Sequence, residues 1–131
     1  MKKAIIALLI IISSQTSFAA AKKASCEKTQ DIAIANLVLG TDKVWEILRR
    51  VKNKDSAEKA SPQLEHCVAY MKTLKPQVEK ENWEPKTKED NELAFGIFMR
   101  MNQAMKGIEK EKIRLKQRDM EAYKIVSIAM E

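Results

Sequence analysis

The sequence predicts an all-α protein, an antiparallel helical bundle of three long helices with closure by a fourth left open. Three observations predict it. Aromatic residues make up only 5% of the chain, with three glycines and three prolines, whereas sheet proteins need aromatic or β-branched strands broken by turn residues. Lys, Glu, Ala, Leu and Met are abundant, and all favour helix. Apolar residues recur at steps of three and four along most of the chain.

Residues 1–21 read as a secretory signal peptide. Lys2 and Lys3 precede an unbroken apolar run, Ala4 to Ile12. Ser17-Phe18-Ala19 and Ala19-Ala20-Ala21 then offer small-x-small cleavage sites. The run is too short for a hydrocarbon core of about 30 Å, so a retained membrane helix is disfavoured. A lipoprotein is also disfavoured, because Lys23 stands where an aliphatic residue is needed before Cys26. The expected mature chain, 22–131, is one domain starting near Ala20 or Lys22, and its expected location is periplasmic or secreted. Removing Lys2 and Lys3 from 24 basic residues leaves 22 against 18 acidic ones, a net +4. So mild a charge on an exported chain makes nucleic acid a poor partner and the anionic envelope a better one.

The first helix is expected from Ser25, a candidate N-cap, to about Lys52. Ile34, Leu37, Thr41, Val44, Leu48 and Val51 form its seam, flanked by Trp45. Gly40 marks a potential kink, but the seam keeps phase across it. Asn53-Lys54-Asp55 is a turn, with Asp55 and Glu58 as a capping box. Ala57, Ala60, Leu64, Cys67, Met71, Leu74 and Val78 form the second seam. Its unbroken phase predicts a bend at Pro62 rather than a break, with Pro76 ending the helix near Leu74 or bending its last turn. Gln77 to Lys88 reads as a connection in which Trp83 caps one end of the core. Thr87 and Asp90 make a second capping box.

Glu92 to Glu131 contains two glycines and no proline. Leu93, Ala94, Ile97, Phe98, Met101, Ala104, Met105 and Ile108 form a broad apolar face expected in the core. Glu109 to Arg118 is mostly charged, and Met120 to Met130 is apolar again. As one helix, Lys88 to Glu131 reaches roughly 65 Å, against about 40 Å for the helices before it. Either the chain turns near Lys116–Asp119 and closes a fourth helix, or the last turns project toward a partner. With no Gly, Pro or Asn after Gly107, one long helix is the favoured reading, and its apolar end suggests self-association.

Few residues offer chemistry. Cys26 and Cys67 are a candidate disulfide in an exported protein. In a straight hairpin turning near Asn53, Cys67 lies about 18 Å from the turn and Cys26 about 40 Å from it. The bond therefore needs a break at Gly40 or Pro62, or an N-terminus folded back. The alternatives are an intermolecular bond through Cys26 and a free Cys67 buried in its seam. No C-x-x-C exists, so thiol–disulfide exchange chemistry is not expected. Met101, Met105 and His66 are the metal candidates, with Cys67 nearby in sequence to His66; soft thioethers suit Cu(I). Against that, methionine fills irregular helical cores, and zinc wants three or four ligands at recognisable spacing. No metal or cofactor is expected. Lys106, Lys110, Arg114 and Arg118 recur every four residues as a basic ridge, a candidate surface for an acidic partner or anionic envelope component, or simply a solvated face. No phosphate loop, Ser-His-Asp set or paired carboxylates appear, so the chain is not expected to be an enzyme.

Two resemblances follow from these residues. Lys52 to Leu64, K-x-x-x-S-A-x-x-A-x-P-x-L, is similar to a stretch in small exported bacterial helical proteins of uncharacterised function, where it joins two antiparallel helices. It implies the hairpin and no activity. The predicted topology also resembles the exported four-helix b-type cytochromes. That class places a methionine early in its first helix and a histidine late in its last. Neither ligand has a counterpart here, so haem does not carry over. The functional expectation is an exported bundle that acts by binding, through its long C-terminal helix, to a protein partner or a second copy; the alternative is a haem or copper carrier.

Overall fold

A computed structural model describes residues 26–28, 33–81 and 84–131. The predicted signal peptide and Trp83 lie outside the described residues. Four helices and no strand occur among the described residues: α1 Ala33–Arg50, α2 Lys54–Glu81, α3 Lys88–Arg118 and α4 Met120–Ala129. The all-α expectation is met, and the chain closes with a fourth helix instead of one long C-terminal rod.

Asp119 makes that closure. Its backbone is extended, at φ −151° and ψ 96°, so α3 cannot continue through it. Its N–H donates to the Leu115 carbonyl at 2.8 Å, finishing α3. Its Oδ1 accepts the Ala122 N–H at 3.1 Å, starting α4. Its Oδ2 accepts the Lys54 N–H at 3.0 Å, at the start of α2. One carboxylate thus serves two helix N-termini, both positive dipole ends. Lys54 Nζ reaches Glu121 at 3.2 Å beside it, and that carboxylate holds the Lys54 ammonium above its usual pKa. Replacing Asp119 by Ala removes both caps and is expected to lower stability by about 2 kcal/mol. Urea unfolding checks this: the midpoint falls with the slope unchanged, while Asp119→Asn, which still caps, loses less than half as much.

The other helix ends are tied in the same way. Glu81, the last residue of α2, accepts the Ala33 N–H at 2.8 and 2.9 Å and so caps α1. At the far end of α1, Arg114 Nη2 donates to the Leu48 and Val51 carbonyls at 3.1 and 2.8 Å. Asn53 and Ser56 form a reciprocal box at the start of α2: Asn53 Oδ1 accepts the Ser56 N–H at 2.9 Å, and Ser56 Oγ accepts the Asn53 N–H at 3.0 Å. This corrects the expected Asp55–Glu58 box, since Asp55 already lies within the first turn. Thr87 caps α3 as expected, accepting the Asp90 N–H at 3.0 Å, and Asp90 reaches back to the Lys86 N–H at 3.2 Å.

Two boundaries differ from the sequence reading. Cys26–Lys28 are not helical, so α1 does not begin at Ser25. And α2 runs through both Pro62 and Pro76 to Glu81, beyond the expected end near Leu74. Both prolines, and Glu58 and Lys72 four residues before them, are exposed. Water can take the freed carbonyls there, so the helix passes each proline without ending.

α1 packs between α2 and α3, and α4 returns against α2 and α3. At the end where α4 closes, Leu48 of α1, Val51 just after it, Leu64 and Cys67 of α2, Leu115 of α3 and Val126 of α4 share one core. At the other end Ala35, Val38 and Leu39 of α1 meet Ile97 of α3, with Leu93 and Met101 packed on them. Helix α1 continues through Gly40, as its phase predicts.

Candidate functional site

α3 carries two apolar faces. Ile97, Ala104 and Leu115 are buried toward the bundle. Phe95, Phe98, Met99, Met105 and Ile113 are 65, 64, 49, 56 and 56% exposed. At 3.6 residues per turn these five fall within about 120° of arc, nearly opposite the buried face. They form a stripe roughly 27 Å long. The sequence reading placed Phe98 and Met105 in the core; the structure puts both outside it. The reason is the neighbour available: the first half of α3 packs on α1 alone, and α4 comes alongside only the second half. Phe95, Met99 and Ile113 belong to no seam in the sequence. Their signal was an apolar arc too wide for one buried face.

Two shallow depressions lie along the stripe. One, of about 470 Å³, is lined by Met105, Lys106, Ile108, Glu109, Lys110 and Ile113. The other, of about 580 Å³, is lined by Gly96, Met99, Arg100, Asn102, Gln103 and Lys106. Both offer an apolar floor with amine or amide rims, suited to side chains from a partner rather than to a small enclosed ligand.

The predicted basic ridge is split. Lys106, Lys110 and Arg118 are exposed. Arg114 is turned inward onto the end of α1, with its Nε 2.5 Å from Glu111. Lys112 is paired with Glu109 at 3.7 Å, and Lys116 lies 5.7 Å over the Tyr123 ring. What remains exposed of the ridge is Lys106, Lys110 and Arg118, and the first two border the apolar stripe.

The metal candidates are not brought together. His66 is on α2, whose packing neighbours are α1 and α4. Its Nε2 lies 3.1 Å from the Cys26 carbonyl, so it holds the N-terminal segment. Met101 is half-buried between α1 and α3, and Met105 is on the outer face. Among the described residues no cluster of three His, Cys, Asp or Glu side chains could hold a metal ion.

Cys26 and Cys67 are joined in a disulfide, with Cα atoms 5.0 Å apart. Cys26 lies beside the middle of α1, its Sγ 3.9 Å from the Gly40 carbonyl, which is where a folded-back N-terminus would bring it. Both sulfurs are buried. Gly40 makes room: a Cβ there would stand 2.9 Å from Met71 Cγ and 4.0 Å from Cys26 Sγ.

Comparison with known family models, curated proteins and solved structures finds no match. The reading of function therefore rests on the surface just described. No helix among the described residues is long and apolar enough to cross a membrane.

Proposed function

We propose that the chain is an exported binding protein whose working surface is the outer face of α3, with no chemistry of its own. One observation carries this: five large apolar side chains stand half to two-thirds exposed along a single helix face. Scattered exposed apolar residues are ordinary, but a contiguous stripe of them marks an interaction surface. The two depressions beside the stripe and the flanking Lys106 and Lys110 give it relief and a charged rim. The core does not need these side chains, since Ile97, Ala104 and Leu115 already fill the inner face of the same helix. The N-terminal signal pattern supports an encounter in the cell envelope.

The test is a photoreactive residue placed at position 98 in the full chain, expressed in a bacterium that exports it. Covalent adducts are expected from position 98 and not from position 63, an exposed site on α2. If position 98 yields none, or no more than position 63, the binding role is lost.

A further inference from the structure

We infer that the occupant of this face is a second copy of the chain, its α3 antiparallel to the first about a two-fold axis beside Met99. The inference rests on the binding role proposed above and names its partner.

The register comes from the order of residues along the stripe. Antiparallel helices put positions of constant summed number opposite each other within each row of side chains, the flanking row of Glu92, Met99 and Lys106 being offset by two from the central one, and a two-fold axis makes every such contact occur twice. With Phe95 against the partner's Met105, Phe98 lies against the partner's Asn102. Met99 then meets the partner's Met99 on the flank. In the same register Glu92 comes opposite the partner's Lys106. All of Phe95, Phe98, Met99, Met105, Glu92 and Lys106 are exposed in the single chain. Apolar layers and an ion pair therefore agree on one alignment. Asn102 is the polar member of the central layers, and a lone polar residue in such a seam fixes alignment.

Charge separates this occupant from a lipid surface. Glu92 and Glu109 stand on the same side of α3 as the apolar stripe and are exposed. An anionic membrane would attract Lys106 and Lys110 but offer no partner to Glu92 and Glu109. The antiparallel copy instead offers Lys106 to Glu92. Size agrees too. Scaled by exposure, the five side chains present on the order of 500 Å² per copy, hence about 1,000 Å² for the pair before the polar flanks are counted, which is where specific interfaces begin.

Light scattering and sedimentation equilibrium of the purified processed chain test this. Twice the monomer mass is expected at about 100 µM, the upper end of weak specific association. Phe98→Asp should raise the dissociation constant at least about a hundredfold, because two buried apolar contacts per dimer become charges. Its helical circular dichroism should be unchanged. Glu92→Lys alone and Lys106→Glu alone should each weaken the dimer about tenfold, and the double exchange E92K/K106E should restore it. A monomer at all concentrations overturns the inference, as does a dimer indifferent to Phe98→Asp. Failure of the double exchange to restore what the single changes lose overturns the alignment. The mass of the position 98 adduct distinguishes the two levels: twice the chain supports the second copy, and any other mass removes it while leaving the binding role intact. No adduct removes both.

Discussion

Gly107→Ala is expected to destabilise the fold by about 3 kcal/mol, although the same change in an exposed helix interior would stabilise it by about 1 kcal/mol. A Cβ at position 107 would stand 2.2 Å from Trp45 Cε2, 2.5 Å from Nε1 and 2.6 Å from Cδ2. These are ring atoms, so no rotation of a flexible tip relieves the contact. The indole must leave its site, or α1 and α3 must separate. Leaving is opposed from its other side, where the Arg49 guanidinium lies 4.9 Å from the ring centroid. Separation would open the core that Leu48 and Leu115 share. In a domain of this size the loss corresponds to a melting temperature lower by roughly 12 °C. The pair also makes a cycle. In a Trp45→Ala background the clash is gone, so Gly107→Ala should become neutral or stabilising by up to about 1 kcal/mol. A Gly107→Ala protein as stable as the parent would mean that the indole does not cover Gly107.

The contrast between Gly107 and Asp119 shows what the sequence could convey. Helical periodicity located the seam of α2 residue by residue, because Leu64, Cys67 and Leu74 repeat in phase and all three are buried. Periodicity also found the apolar arc of α3. It could not say which part of that arc another helix covers, so Phe98 and Met105 were placed in the core with Ile97 and Ala104. Coverage depends on how far α4 reaches, and that is set by Asp119. The turn there uses an extended residue with negative φ, so neither Gly nor Asn is needed. Asp before an apolar run is nonetheless an N-cap signal, and the length mismatch of the last forty residues allowed a turn near it, although the absence of Gly, Pro and Asn favoured one long helix. Gly107 carried no local signal, since its reason lies on another helix. The same holds for the caps that Glu81 and Arg114 supply across 48 and 63 residues of chain. Local pattern names what a residue can do; the partner that uses it comes from packing.

The second large effect belongs to the disulfide. Its loss is expected to cost about 4 kcal/mol, the chain-entropy value for a loop closed over a separation of 41 residues. The geometry suggests two distinct ways in which the bond could act. It could pin only the short segment at Cys26, which the His66 ring also holds through the Cys26 carbonyl. In that case loss would release the segment and leave the bundle's unfolding unchanged. But Cys67 is fully buried in the core shared with Leu48, Leu64 and Leu115, and Cys26 is buried against it. The bond therefore restrains α1 and the first half of α2 together in the unfolded chain. Reduction tests this without changing a side chain. Both sulfurs are shielded, so reductant should act at the rate of unfolding rather than at the rate of free thiol exchange. Once reduced, the chain should unfold in urea at a lower midpoint and with a steeper slope, because the unbridged denatured state exposes more surface. The Cys26→Ala/Cys67→Ala double variant should match the reduced protein to within about 1 kcal/mol, the allowance for the atoms lost at two buried sites. An unchanged midpoint after reduction would assign the bond to the N-terminal segment alone. A lower midpoint with an unchanged slope would place its contribution in native-state contacts among Cys26, Met71 and Gly40, and not in the restraint on the unfolded chain.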